Sequence, residues 1–410
     1  MQFPENFLWG TATAAHQVEG GNIASDLWLM EMVPNSLFAE PSGDACDHYH
    51  RYLDDLALLK DLGFGAYRFS IEWARIEPEE GFVSRAALDH YRRMIAACRA
   101  LGIAPIVTFH HFTAPLWFTR DGGWTNMKSV DRFARYCEVA GRALGDLILY
   151  ACTINEANVP MIITAQREAG GRSRAESPQR FAEIARRCGG NAASWAPFLN
   201  CDGYVASPHL IAAHRKGYEA LKSAGLSSPI GITLALLDLQ AGPGGENLRR
   251  AADQLIQGQF LESARGDDFV GVQTYTRIRF GPKGQLPPPD GAERTQMGYE
   301  FYPEALDATI RNAAGVSDCP VLVTENGIGT EDDSRRIDFT RRALQGVHAA
   351  IADGVDVRGY IHWSLLDNFE WLEGYRPKFG LVAVDRATQA RKPKPSAYWL
   401  GEIARNNAVA

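Results

Sequence analysis

The chain has little that would suit a disulfide scaffold, a membrane span or a grip on nucleic acid. Its seven cysteines are odd in number, widely spaced and contain no Cys-x-x-Cys pair. Reduced thiols in a cytoplasm are therefore expected, most of them serving as small core hydrophobes. No uninterrupted apolar run approaches the roughly 18 residues of a membrane helix. The opening MQFPENFLWG lacks the basic start and apolar stretch of a secretory leader, and a cytoplasmic protein is the expectation. Positive charge is also short. With 42 Lys and Arg against 49 Asp and Glu the net charge is −7, which argues against a phosphate backbone as partner, since binding one takes a basic face to displace condensed counterions.

Other absences limit the architecture. The 21 Pro and 39 Gly rarely cluster, so no linker divides the chain, and residues 1–410 are expected to form one domain. The Pro-rich stretch 285–290 is expected to be a surface loop. No Gly-x-Gly-x-x-Gly follows the first apolar run, so the dinucleotide fingerprint of an open sheet is missing. What is present is a large apolar fraction, 46% hydrophobic with 10% aromatic and 22% charged residues, enough to bury a sizeable core.

Short apolar runs alternate with amphipathic segments from end to end. Strands are expected over 7–13, 66–73, 104–110, 147–154, 230–237, 269–275, 321–325 and 357–364. Helices are expected over 47–62, 84–101, 128–144, 208–224, 247–264, 302–314, 334–353 and 396–405. In the first of these helices Leu53, Leu56, Leu58, Leu59 and Leu62 recur mostly three to four apart, as a helix covering a sheet requires. Such alternation predicts an α/β fold of parallel βα units, open or closed. The strand ends favour closure. Gln17, Arg68, His111, Asn155, Glu156, Tyr275, Glu325 and Trp363 fall in, at or just after the C-terminal ends of different strands, the face where a (β/α)8 TIM barrel assembles its site.

Two of these groups carry chemistry together. Thr153-Ile-Asn-Glu156 and Thr324-Glu-Asn-Gly327 each end an apolar strand on a carboxylate. A lone Glu-Asn-Gly reads as a helix cap or turn, but two strand-terminal carboxylates are costly unless a site uses them. Strands four and seven of a barrel face each other across its mouth, and glycoside hydrolysis needs such a pair, one ionised to attack carbon and the other protonated to release oxygen. Adjacent His110 and His111 point to opposite faces of a strand and cannot share an ion, so no metal and no cofactor are expected.

These stretches resemble family 1 glycoside hydrolases, the retaining β-glucosidases and their relatives, over nearly the whole chain. The resemblance rests on Phe7-Leu-Trp-Gly-Thr-Ala-Thr-Ala-Ala-His-Gln-Val-Glu-Gly20, Tyr67-Arg-Phe-Ser-Ile-Glu-Trp-Ala-Arg-Ile-Glu-Pro78, the two glutamate motifs and Trp363-Ser-Leu-Leu-Asp-Asn-Phe-Glu-Trp371. It implies a single barrel, Glu325 as nucleophile, Glu156 as acid/base, Asn155 on the sugar 2-hydroxyl, and Tyr275 with Arg68 positioning Glu325. It implies a glycone pocket of Gln17, His111, Glu370 and Trp371 over Trp363. Plain alternatives are a capped loop residue for Gln17, a core histidine for His111 and core aromatics for Trp363 and Trp371. His48, His50, His90 and His348 are read as solvated helix residues.

The match has gaps. Ala157, Gln273, Thr274 and Phe112 depart from the usual residues, and Tyr299 stands where an aglycone-stacking tryptophan is usual. Arg167, Glu168, Arg172 and Arg174 are read as a solvated loop, with a lid on the aglycone side as the alternative. Members that cleave 6-phosphoglycosides lack the glutamate present here as Glu370, so unphosphorylated small-molecule β-D-glycosides are the expected substrates, glucosides foremost, with galactosides or fucosides as side substrates. A 6-phospho-β-glycosidase and a catalytically silent glycoside-binding barrel are the alternatives. No oligomeric state is implied.

Overall fold

Each of eight short runs alternates between two apolar environments. In the computed structural model, which describes residues 1–171 and 178–409, these runs close into a parallel barrel: β1 Leu8–Ala12, β2 Ala66–Ser70, β3 Ala104–His110, β4 Tyr150–Ile154, β5 Ile230–Ala235, β6 Phe269–Gln273, β7 Val321–Asn326 and β8 Val357–Trp363. Neighbours in the barrel are neighbours in the chain, and β1 closes the ring by pairing Gly10 with Ile361 of β8 and with Ala66 of β2. Ala66, Ile106, Cys152, Phe269, Leu322 and Ile361 pack together inside the ring. Val270, Val321, Val323 and Tyr360, one position away, belong to the outer cluster beneath the helices. This is the period-two alternation of a filled barrel.

Around the barrel lie α1 His48–Leu62, α2 Arg85–Ala100, α3 Ser129–Leu144, α4 Gly203–Ser223, α5 Glu246–Asp253, α6 Ala305–Ser317, α7 Asp333–Ala352 and α8 Pro395–Asn406. In α3 the buried set includes Phe133, Tyr136, Cys137, Ala140 and Leu144, a stripe at helical spacing. The stripe expected in α1 is narrower than five leucines. Leu56, Leu59 and Leu62 turn inward while Leu53 is 55% exposed. Helix α4 starts before the expected Pro208, because Asp202 caps it by accepting from the backbone N–H groups of Tyr204 and Val205. The segment expected as one helix over 247–264 is interrupted by a π-helical turn at Gln254–Gly258.

Several elements escaped the sequence reading. Helices Val159–Ala169 and Pro178–Cys188 follow β4, so Arg167 and Glu168 are helical rather than in a loop, whereas Arg172 and Arg174 lie outside the described residues. Gly284–Leu286, which overlaps the start of the expected Pro-rich loop, pairs with Arg277–Gly281 in a three-stranded sheet that also includes Asp238–Ala241. His48 and His90 are buried, not solvated: His48 bonds Asp55 at 2.8 Å, and His90 stacks on Tyr49 with ring centres 3.7 Å apart. Among the described residues no helix is long and apolar enough to cross a membrane.

Candidate active site

Strand β7 is buried along its whole length and ends on Glu325 and Asn326. Its pairing with β6 slips between Val323 and Glu325, and its pairing with β8 slips on the way to Asn326. Such an irregularity re-aims a side chain that a regular pleat would leave pointing at a neighbour, and here it turns Glu325 into the barrel mouth. Glu156 arrives differently. It follows β4 with a left-handed backbone, φ 47°, a strained conformation for a non-glycine residue. Asn158 holds that turn by donating to the carbonyls of Ala235 at 2.7 Å and Ile256 at 2.9 Å and accepting from Ala235 N–H at 2.9 Å.

Both carboxylates line one cavity of about 470 Å³, together with His111, Tyr275, Tyr299, Trp363, Glu370 and Trp371. Their partners differ. Arg68 donates to Glu325 Oε1 at 2.6 Å, and the Tyr275 hydroxyl donates to Oε2 at 2.6 Å. Glu156 instead accepts a bond of 3.3 Å from Gln273 Nε2, while Gln273 Oε1 accepts from Thr324 at 3.4 Å. Burial raises the Glu156 carboxyl well above the ordinary range, and the charge of Glu325 raises it further. Burial raises Glu325 too, and the Arg68 charge and the Tyr275 hydrogen bond oppose that rise without cancelling it. The result is one carboxyl inclined to hold its proton and one equipped to lose it.

Arg68 also orders the floor. It donates to Thr108 Oγ1 at 3.1 Å and to Asn155 Oδ1. With that oxygen also accepting from Thr233 at 3.2 Å, the Asn155 amide nitrogen faces His111 Nε2 at 3.2 Å. Burial, reinforced by the Arg68 charge, holds His111 well below its usual pKa. The ring is therefore neutral, with Nε2 accepting and Nδ1 free to donate, and Nδ1 has no partner. Gln17 donates to Asn368 Oδ1 at 3.1 Å and Phe369 O at 2.8 Å, leaving its own Oε1 without a partner. Buried polar atoms left unpaired in this way mark places where a ligand's hydroxyls would be satisfied.

Aromatic rings enclose these atoms. His111 stacks with Trp363 and Trp371 at 5.8 and 6.1 Å between ring centres, and Trp371 has the buried His16 ring parallel to it at 5.8 Å. Phe112 lies 5.1 Å from Trp371 and, like Trp371, has a left-handed backbone. Neighbouring His110 is turned elsewhere, edge-on to Trp124 at 5.1 Å. Among the described residues no group of three or more His, Cys, Asp or Glu could hold a metal ion.

Every singled-out site residue thus reaches this one cavity or the bonded layer beneath it. The sequence marks Gln273 and Phe112 as departures from the family's usual residues, and the structure puts both in the lining of the cavity. Sequence reasoning missed His16, whose signal is its adjacency to Gln17, and the aliphatic wall of Val159, Ile162 and Ile163.

Glu370 accepts from Trp363 Nε1 at 3.3 Å, and burial pushes its carboxyl up to about 8 from 4.5. The folded protein then holds a proton that the unfolded chain releases, so this group's contribution to stability is intact below about pH 4.5 and is lost as pH rises through about 8. Glu370→Gln cannot ionise. Its urea midpoint is expected to gain on that of the wild type between pH 5 and pH 8, and parallel midpoints across that range would show that Glu370 ionises normally.

Comparison with known proteins places this geometry. The sequence model of glycosyl hydrolase family 1 matches residues 1–262 and 282–409. The thermostable β-glucosidase B of Thermobispora bispora is 33% identical, the match covering 100% of this chain and 92% of that protein. The crystal structure of a β-glycosidase is 52% identical, with a TM-score of 0.94 over 100% of this chain and 98% of that one. A β-glycosidase from Pyrococcus horikoshii is 35% identical, with a TM-score of 0.84 over 99% and 95% of the two chains.

Proposed function

Because the chain belongs to glycosyl hydrolase family 1, we propose that it is a retaining β-glycosidase acting on unphosphorylated β-D-glycosides, glucosides foremost, by double displacement. It is a glycoside hydrolase, and its substrates are small-molecule glycosides. The observation that carries the finer reading is the unequal treatment of two carboxylates in one cavity: Arg68 and Tyr275 both donate to Glu325, and neither donates to Glu156.

In the first step the Glu325 carboxylate attacks the anomeric carbon, and the bond from that carbon to the leaving oxygen breaks as Glu156 delivers its proton. A glycosyl ester on Glu325 results. In the second step Glu156 takes a proton from water, whose oxygen attacks the same carbon, and the ester bond breaks to return the Glu325 carboxylate. Asn155 binds the 2-hydroxyl, where a hydrogen bond strengthens as the oxocarbenium ion develops. Gln17, His111, Glu370 and Trp371 take the remaining glycone hydroxyls, with Trp363 beneath the ring and Tyr299 on the side of the leaving group. The barrel and the excursions built on it act as one catalytic unit.

Glycosides without a 6-phosphate are supported by the position of the cations. Arg277 and Arg294 line the cavity from the excursion after β6, while the β1 and β8 side presents Gln17 and Glu370. Cys46, Cys98, Cys137, Cys152, Cys188 and Cys319 form no disulfide, which supports a cytoplasmic setting. The test is proton NMR of the first sugar released from nitrophenyl glucoside, galactoside, fucoside, mannoside and xyloside. The β-anomer should appear before mutarotation, fastest from the glucoside, and an initial α-anomer would refute the double displacement.

A further inference from the structure

We propose that the leaving group this enzyme takes is an apolar alcohol, alkyl or aryl, rather than a second sugar; this rests on the reading of Glu156 as the group that protonates the departing oxygen. The glycone residues Gln17, His111, Trp363 and Glu370 belong to β1, β3, β8 and the loops after them. The leaving group therefore departs toward β4, β5 and β6, where Glu156 stands. That side of the cavity is aliphatic. Val159, Ile162 and Ile163 line it from one face of the helix that follows Glu156, Leu236 and Leu237 line it from the end of β5, and Ile278 from the strand beyond β6.

The two polar side chains set deepest among these aliphatic groups, Arg277 and Thr276, are already engaged. Arg277 donates to Glu300 at 2.6 and 3.1 Å and to Gln240 at 3.1 Å, and its guanidinium lies 3.8 Å from the centre of the Tyr302 ring. Thr276 donates to the carbonyl of Glu300 at 2.9 Å. Gln166, Gln285, Arg294 and Tyr299 stand at the exposed rim, where Arg294 also donates to the Gly298 carbonyl at 3.3 Å. A second sugar placed beside Glu156 would bring hydroxyls against aliphatic carbon below the polar rim, where their water is lost without a replacing hydrogen bond, which is unfavourable. An alkyl chain or aryl ring would bury apolar surface against the same wall and gain from it. The wall acts on the leaving group alone, so it selects among glycosides of one sugar without touching the choice of sugar.

The experiment uses the glycone that the intact enzyme takes best as a nitrophenyl glycoside. The kcat/KM is measured for three substrates of that sugar: the octyl glycoside, the disaccharide carrying it at the non-reducing end, and the glycosyl fluoride, whose leaving group is too small to reach the wall. The octyl glycoside should exceed the disaccharide by at least about ten-fold, the factor that burying about two methylenes supplies. Ile162→Asn and Ile163→Asn, both at partly exposed positions, should lower the octyl value several-fold more than the fluoride value, while Ile163→Leu should keep the preference. A disaccharide as good as the octyl glycoside, with the fluoride still hydrolysed, overturns the proposal and leaves the glycosidase reading standing. A folded enzyme inert toward the fluoride overturns both. If an asparagine variant fails to fold, the wild-type comparison decides.

Discussion

Glu325→Gly is expected to lower kcat on a nitrophenyl glycoside by about five orders of magnitude, the scale seen when a covalent nucleophile is removed. The size follows from what the residue is asked to do. Without it the anomeric carbon has no tethered attacking group, and the advantage of an intramolecular reaction over a bimolecular one is lost. The pocket otherwise survives, because glycine only vacates space and Arg68 keeps its bonds to Thr108 and Asn155. That space, facing an uncompensated guanidinium, suits a small anion. Azide or formate should restore turnover of a substrate with an activated leaving group, attacking from the vacated side so that the product is the α-anomer. Activity unchanged in the variant, or a rescued product of β configuration, would reassign the nucleophile.

Glu156→Ala should discriminate between substrates rather than silence the enzyme. An alkyl glycoside needs its oxygen protonated in the transition state, and general acid catalysis is typically worth about 10²–10⁴-fold, so loss of that order is expected. A dinitrophenyl glycoside leaves as a stable anion, and its first step should fall by no more than about ten-fold. Because burial and the Glu325 charge favour the protonated form of Glu156, it is expected to set the alkaline limb of the wild-type rate profile, and that limb should disappear in the variant. Azide now enters on the face the leaving group vacated, after Glu325 has formed its ester, and yields the β-glycosyl azide. Opposite anomers from the two rescues separate the two roles more firmly than either rate. Equal loss on both substrates would count against the acid role.

Strands β1 to β8 are legible as short apolar runs between amphipathic segments, and the two glutamates by their place at the ends of such runs. The errors came where long-range contacts override local pattern. Pro208 looks like the start of a helix, but the helix begins earlier, capped by Asp202. Leu53 follows the helical period yet faces solvent. His48 and His90 look solvated by position but are buried by the packing of α1 and α2. Gln273, read as a simple departure from a family pattern, donates to Glu156, and no local signal marks an amide that must reach a carboxylate on another strand.

The sequence by itself determined the α/β alternation, the polar strand ends and the identity of the paired carboxylates, because side-chain periodicity and strand termini are properties of neighbouring residues. Only the tertiary structure decided which carboxylate Arg68 and Tyr275 serve, how a slipped register on β7 and a left-handed Glu156 aim the two groups, and that the leaving-group side is aliphatic. Those features depend on distances between strands far apart in the chain and on exclusion of water by the closed barrel, which come into being only when the ring is complete.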